Sequence, residues 1–529
     1  MWSCVCQALL NSSGYSSVKT SIGTVTPHWI SIQEPHDIFN PETQTMIRPW
    51  LTRILIVCGV FIIVWFAMIV YWQASNRMPT SGDLAINLFA LPLGLLAALW
   101  LTIKGATLFT AASPANLPGS SAQDKEALAQ AQTAEQERAL TLTILSSALR
   151  AAHGKSADEL TTAFASNKAT LDIDSELKDA KDHPVLSGRI KDVDEEAQRD
   201  ALEKWLPAAS PTATPWNSEE LRALALGSEV ITELAQQAIT HPLLQEYQAL
   251  IPSKRNSIAL PDLQLLAELP LQWEAGKRKL AVQWFAHIIK QQGWPEEKID
   301  IKNAPSFERL ALLDKIDQLS VASHRQASPC FGIVLACDSY IGEQTVQAWE
   351  NTGTLFPGKD QRGKIPGEGA AGLLLADARQ TAAMNPGAAT KIHRLAQGMR
   401  DKSADDSGRI GAELLTALSK DALLAASTTP EKITLIAADT DHRASRVTEL
   451  MGMGHSTFPD LDLSRQCLKV GAACGATGRV SSLMALALAH HEVMTNSGFA
   501  LCVSNQDGLA RAAVIVGPYT AGTAPHLST

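Results

Sequence analysis

No cysteine–histidine cluster with zinc-ligand spacing occurs in the 529 residues, so a zinc-built domain and a zinc centre are not expected. Cys4 and Cys6 stand close together but have no second pair. Cys58, Cys330, Cys337, Cys467, Cys474 and Cys502 are scattered among apolar neighbours, the pattern of buried free thiols in a reducing compartment. Positive charge is also in deficit. A net charge of -9 argues against a non-specific nucleic-acid binder, which needs a basic surface to displace counterions from phosphates. A cleavable signal peptide is not expected either, because a long, mostly polar stretch precedes the first apolar run. What remains is an ordinary apolar and charged composition, with enough chain for several domains and a proper core.

Residues 54–75 read ILIVCGVFIIVWFAMIVYWQAS, with no charge between Arg53 and Arg77. A helix needs roughly 20 apolar residues to cross the hydrocarbon core. Tyr71 and Trp72 sit where interfacial aromatics belong. Residues 84–103 (LAINLFALPLGLLAALWLTI) form a second candidate span, bounded by Asp83 and Lys104. Its Pro92 is tolerable if neighbours satisfy the freed carbonyl. The connecting loop allows only a hairpin turn. Arg48, Arg53 and Lys104 flank the outer ends and Arg77 alone sits in the loop, which places both termini in the cytoplasm, with the protein at an inner membrane. Two spans without a buried charge offer no transport pathway.

Residues 1–50 thus form a cytoplasmic segment, 51–104 the hairpin and 105–215 a linker with a helical, charged stalk. Residues 124–150 are rich in helix formers, and Ser156 with Glu159 fits a capping box. Residues 172–198 read as a solvated face. A second linker, 206–217, carries three prolines. From 216 to 517 the pattern is globular, and a tail (518–529) closes the chain. Leu280, Trp284, Phe285, Ile288 and Ile289 form one helical stripe ended by Gly293. Short apolar runs at 331–336, 371–376, 433–438, 499–503 and 512–516 read as buried strands separated by helices, an α/β layered fold.

Two motifs carry chemistry. One is Ile365-Pro366-Gly367-Glu368-Gly369-Ala370-Ala371, following the strand FGIVLACDSY. The other is Lys469-Val470-Gly471-Ala472-Ala473-Cys474-Gly475-Ala476-Thr477-Gly478, leading into a helix. Asp507-Gly508 marks the turn before the last strand. Gly367, Glu368, Gly369, Gly471, Gly475 and Gly478 are the candidate binding turns, where a missing Cβ permits close approach.

This order of motifs resembles that of the β-ketoacyl synthases, condensing enzymes of the thiolase fold, over residues 216–517 and most closely from 331 onward. The resemblance implies a thiolase-like αβαβα layering, a homodimer, no cofactor, and acyl-carrier-protein or acyl-CoA substrates if the chemistry is kept. Three groups of the family's chemistry are altered. The nucleophilic cysteine would fall within 301–319, where no cysteine stands and Ser306 is the nearest hydroxyl. The histidine of the family's Lys-x-x-Gly-His loop is replaced by Ala472, although Lys469 matches. The other histidine would lie in 439–443, where His442 stands outside its usual context.

The remaining candidates each have two readings. Cys474, in a small-residue loop before a helix, is either a relocated nucleophile or a small core residue. Cys337, at a strand end, is weighed in the same way. His442 beside Asp441 is either an oriented base or a surface loop histidine. His490-His491, at a helix end, suits the helix dipole. The expectation is a membrane-anchored, catalytically degenerate scaffold that recruits a membrane or cytoplasmic partner, with an active acyltransferase as the alternative. The architecture also resembles proteins encoded with bacterial envelope machines, type VI secretion among them.

Overall fold

A computed structural model describes Trp65 and residues 135–206, 215–302, 310–325, 329–357 and 362–520. Apart from Trp65, both expected spans lie outside the described residues, as do 1–50, 105–134 and 521–529. Among the described residues no helix is long and apolar enough to cross a membrane. All the described strands belong to one compact unit, residues 120–529.

The strands, in chain order, are β1 (Leu142–Arg150), β2 (Asp172–Lys178), β3 (Pro184–Ser187), β4 (Leu263–Glu268), β5 (Ile299–Ile301), β6 (Phe331–Ser339), β7 (Glu368–Ala376), β8 (Thr390–Ile392), β9 (Ala396–Met399), β10 (Ile433–Ala438), β11 (Cys467–Lys469), β12 (Phe499–Ser504) and β13 (Ala510–Pro518). β2 and β3 form a separate two-stranded hairpin. The rest join in the order β11-β10-β12-β13-β8-β1-β7-β6-β4-β5, with β9 also pairing β13. The order is doubled. Leaving the hairpin and β9 aside, each half runs third, second, fourth, fifth, first. In each, the second strand lies parallel to the third and fourth, and the fifth is antiparallel. The halves meet where β1 pairs antiparallel with β8.

Burial on both faces explains the continuous apolar runs. Every residue of β6 and β7 is buried, as strands covered on both sides require. Alternate side chains feed different layers. Val334 and Ala336 of β6 face a central core shared with the helices Ala311–Arg325 and Val480–Asn496, whereas Ile333 and Leu335 face the helices Ser218–Ala238 and Ala275–Gln291. In the second half, Leu435 and Ala437 face that same central layer. Ile433 and Ile436 face the helices Glu413–Ala425 and Ala444–Thr457. The helix Val480–Asn496 packs on strands of both halves, which makes it the middle of an α/β/α/β/α sandwich. The expected strands fall in place, β10 at its expected bounds and the others extended by one to three residues at one or both ends.

Three expectations are corrected. Residues 142–150 form a strand, β1, where a continuous helix was expected. They occupy the middle of the sheet, paired with β7 on one side and β8 on the other, and that pairing overrides local helix preference. The layered body therefore reaches back to before the 216 boundary. Residues 172–198 are not merely a solvated face. Asp174 is buried and accepts hydrogen bonds from Ser187 Oγ and Arg189 Nε, each at 2.7 Å. His490 is not a cationic helix end. Its ring is 6% exposed and shares a 2.8 Å hydrogen bond with Thr390 Oγ1. Locally, Ser156 does cap its helix, accepting from Glu159 N at 3.2 Å, while the Glu159 carboxylate takes the Lys155 N–H. The 280–289 stripe is a helix packed in the outer layer, ended at Gly293 with φ 113°.

Burial lowers the His490 imidazole to about 4, so the folded protein holds it neutral. The unfolded chain takes up that proton near pH 6.5. The contribution is therefore complete above about pH 6.5 and is lost as pH falls towards 4, up to on the order of 3 kcal/mol. Urea denaturation at pH 7.5 and pH 5 should show a smaller acid loss in His490→Gln than in the parent. An identical loss in both would remove His490 from the account.

Candidate functional site

The carboxyl ends of the parallel strands from both halves open onto one cleft of about 630 Å³. Chain leaves the sheet there, and polar groups are released from strand pairing. Tyr340 follows β6. Asp441, His442 and Arg443 follow β10. Gly471, Gly475, Gly478 and Arg479 follow β11. Gln506, Asp507 and Gly508 form the turn from β12 to β13. The two sequence motifs and the Asp507-Gly508 turn thus converge, as their order suggested.

The glycine turns form a seam beneath this cleft. Pro366 pairs with Ala476, and Gly188 pairs with Gly367. A Cβ on Gly367 would run into the carbonyl oxygen of Cys474, and one on Gly369 into the Met484 side chain and the Arg150 carbonyl. Gly475 and Gly478 take φ of 75° and 57°, the left-handed side that favours glycine. Gly471 lets its loop lie against the backbone of Asp439 and Thr440.

Glu368 does not present itself to the cleft. It is fully buried and accepts from Arg222 Nη2 at 2.6 Å, Arg222 Nε at 2.8 Å, Ile190 N at 2.7 Å and Ser339 Oγ at 3.0 Å. Its role is that of a paired structural carboxylate, whose bidentate partner comes from the helix Ser218–Ala238.

Cys474 ends the short helix Val470–Cys474, and the long helix starts only at Val480. The thiol is therefore at a helix C-terminus, the wrong end to stabilise a thiolate. It is fully buried, and burial pushes it up to about 12. Cys337, buried on β6, is likewise pushed up by burial. Ser306 lies outside the described residues. Lys469 is half-buried at the end of β11, paired with Ala438 of β10, and does not line the cleft.

His442 does line the cleft, and the Gly363 backbone, not Asp441, holds its ring by a hydrogen bond. Asp441 is held by Arg443, at 2.8 Å to Nε and 2.7 Å to Nη2, so its carboxylate does not serve the imidazole. The ring stacks edge-on against Phe356, with 5.2 Å between centroids. Burial lowers its basicity, and its Nε2 is buried with no hydrogen-bond partner among the described residues.

The wall around it is an ion-pair lattice that no motif announced. Arg443 also reaches Asp405 at 2.8 Å and the Gln506 carbonyl at 2.8 Å. Arg446, fully buried, bonds Asp405 Oδ2 at 2.8 Å. Asp439 accepts from Ser504 Oγ at 2.5 Å, Asn505 N at 2.8 Å and Gln506 N at 3.0 Å, which pins the turn after β12. Burial raises Asp439 despite these donors. A run of Asp, Thr, Asp, His and Arg after an apolar strand was the only sequence signal of this lattice. A wider opening of about 1240 Å³ lies by the hairpin, and its two arginines nearest the sheet and hairpin are paired, Arg150 with Glu229 and Arg189 with Asp174.

Removing the Glu368 carboxylate takes the bidentate partner from the buried Arg222 guanidinium and leaves it only Glu195 and the Ile190 carbonyl. Glu368→Ala should cost about 3–5 kcal/mol in chemical denaturation. A loss below about 1 kcal/mol, the range of an exposed pair, would contradict the structural role.

No protein-family model matches this chain, and no curated protein matches it. Solved structures do. The ishigamide ketosynthase/chain length factor is similar at 14% identity with a TM-score of 0.47, covering 72% of this chain and all of that one. The ketosynthase from module 6 of the bacillaene synthase of Bacillus subtilis 168 is similar at 11% identity with a TM-score of 0.48, covering 72% of each chain. A type II polyketide ketosynthase in complex with its acyl-carrier protein matches at 10% identity with a TM-score of 0.49, over 72% of this chain and all of that one.

Proposed function

We propose that this chain is a catalytically degenerate, β-ketoacyl-synthase-like scaffold or interaction module, anchored at the cytoplasmic face of a bacterial inner membrane by its N-terminal hairpin. The observation that carries the reading is the state of the 439–443 segment, where the condensing enzymes' first histidine is expected. Asp439 is engaged by three donors of the 504–506 turn, and Asp441 by Arg443, so neither carboxylate serves a base. No cysteine lines the cleft among the described residues. Decarboxylative condensation needs a thiolate and its bases together, and loss of any one of them leaves little rate.

A homodimer fits this reading. β5 is the outermost strand of the first half, and its Ile301 is 43% exposed beside an apolar groove of about 380 Å³ that Leu269, Leu271 and Val282 line. Among the described residues no strand pairs with the outer edge of β5, and a strand edge next to apolar surface favours self-association. Two copies on one membrane would present paired surfaces to a membrane or cytoplasmic partner, and proximity would strengthen its capture. An accessory role in an envelope machine such as type VI secretion accords with this arrangement.

The test against an active acyltransferase is direct. Full-length protein in detergent is incubated with acyl-CoA and acyl-carrier-protein donors, and its intact mass is read. The expected spectrum shows the unmodified mass with every donor. A stable adduct that disappears in Ser306→Ala or Cys474→Ala would overturn the scaffold reading and identify the nucleophile.

A further inference from the structure

One helix of the first half stands outside the packed layers. Glu343–Asn351 follows β6 after Gly342, and the chain leaves it through Gly353, whose φ of 64° is left-handed. Of its described residues only Val346 is buried. Val346 packs with Leu177 of β2 and Val185 of β3, and with the half-buried Leu355, in a small apolar cluster distinct from those of the layered body. The last turn makes a second link to the hairpin, where Glu350 accepts from Ala180 N at 2.9 Å. Helix and hairpin therefore share a core with each other rather than with the sheet.

The hairpin is backed as lightly. The opening of about 1240 Å³ has β2 on one side and the end of β1 with its following loop on the other. β2 buries Asp174 and Leu177 and leaves its other side chains exposed. The base of the hairpin is fixed by the Asp174 bonds and by the pairing of Gly188 with Gly367, so its free end is the tip that meets the helix. A carboxylate ties the helix to the body. Gly342 stands at the N-cap and offers no side chain. Glu219, in the first turn of the helix Ser218–Ala238, supplies the cap instead, accepting from Thr345 N at 3.1 Å and Thr345 Oγ1 at 2.7 Å. A Cβ on Gly342 would run into the Glu219 side chain, so a glycine there is what admits the tie.

The other end of the helix reaches the cleft. Trp349 lines it, tilted against Tyr340 with 5.2 Å between centroids and with Lys364 Nζ 5.4 Å from its ring centroid. The Arg443 and Arg446 wall is pinned by ion pairs, whereas Trp349 rides on the helix. A segment with few buried apolar contacts opens locally at far lower cost than the layers beneath it. We propose that the helix Glu343–Asn351 and the β2–β3 hairpin form one hinged flap at the cleft, latched shut by the bonds from Thr345 to Glu219. Its opening sets access to the cleft, whether or not acyl chemistry is retained there.

Peptide-resolved hydrogen–deuterium exchange on the full-length protein in detergent tests the flap. Glu219→Ala removes the cap and should speed exchange in 343–351 about tenfold, with 172–187 following by a similar factor and β6 unchanged. Glu219→Gln keeps an acceptor and should do less. Leu177→Ala, on the hairpin side of the shared cluster, should also speed exchange in 343–351. Access is read separately, by maleimide labelling of Ala476→Cys in the cleft, followed on its own peptide, which should quicken when Glu219→Ala is added. Unchanged exchange in 343–351, a hairpin that does not follow the helix, or labelling that stays the same would overturn the proposal. Acceleration that spreads equally through β6 would make Glu219 a support of the whole fold and overturn it as well.

Discussion

Glu368 is the point on which the geometry of the molecule depends. A carboxylate with no exposed surface is tolerable only if it is fully paired, and its partners come from three separate segments. Arg222 fixes the outer helix, Ile190 fixes the chain leaving the hairpin, Ser339 fixes the end of β6, and Glu368 itself opens β7. One and two residues earlier, Gly367 and Pro366 fix the loop of the second half through Gly188, Cys474 and Ala476. A few consecutive residues therefore lock both halves and the hairpin into one frame. The cleft at the carboxyl ends of the strands inherits its shape from that lock.

Sequence pattern made the strands legible because they are buried on both faces and read as uninterrupted apolar runs. The glycine turns were legible because close approach demands residues without a Cβ. Other features depended on partners remote in the chain. Glu368 reads as a turn residue until Arg222, 146 positions away, is seen to grip it. β1 reads as helix former because it ends the stretch 124–150, which is rich in Ala, Glu, Gln and Leu. Its strand state comes from β7 and β8, both far ahead in the sequence. Cys474 reads as preceding a helix, but the chain makes a short turn that ends at the thiol and begins the long helix six residues later.

The cleft walls bear on what kind of work such a frame can do. Arg443 is tied to two aspartates and a carbonyl, and Arg446 to one of the same aspartates, so the polar surface is rigid and already satisfied. At the expected catalytic positions Asp439 is committed to the 504–506 turn, and His442 lies edge-on to Phe356 with its Nε2 unbonded among the described residues.

Nucleophilic chemistry by cysteine meets a further obstacle. A thiolate needs an electropositive, partly open setting, and burial does the reverse. Cys330 and Cys474 are pushed up to about 12 and Cys467 to about 11, and burial moves Cys337 and Cys502 in the same direction. At neutral pH each of these thiols is overwhelmingly protonated, and a shift of three units represents a barrier of about 4 kcal/mol before any attack begins.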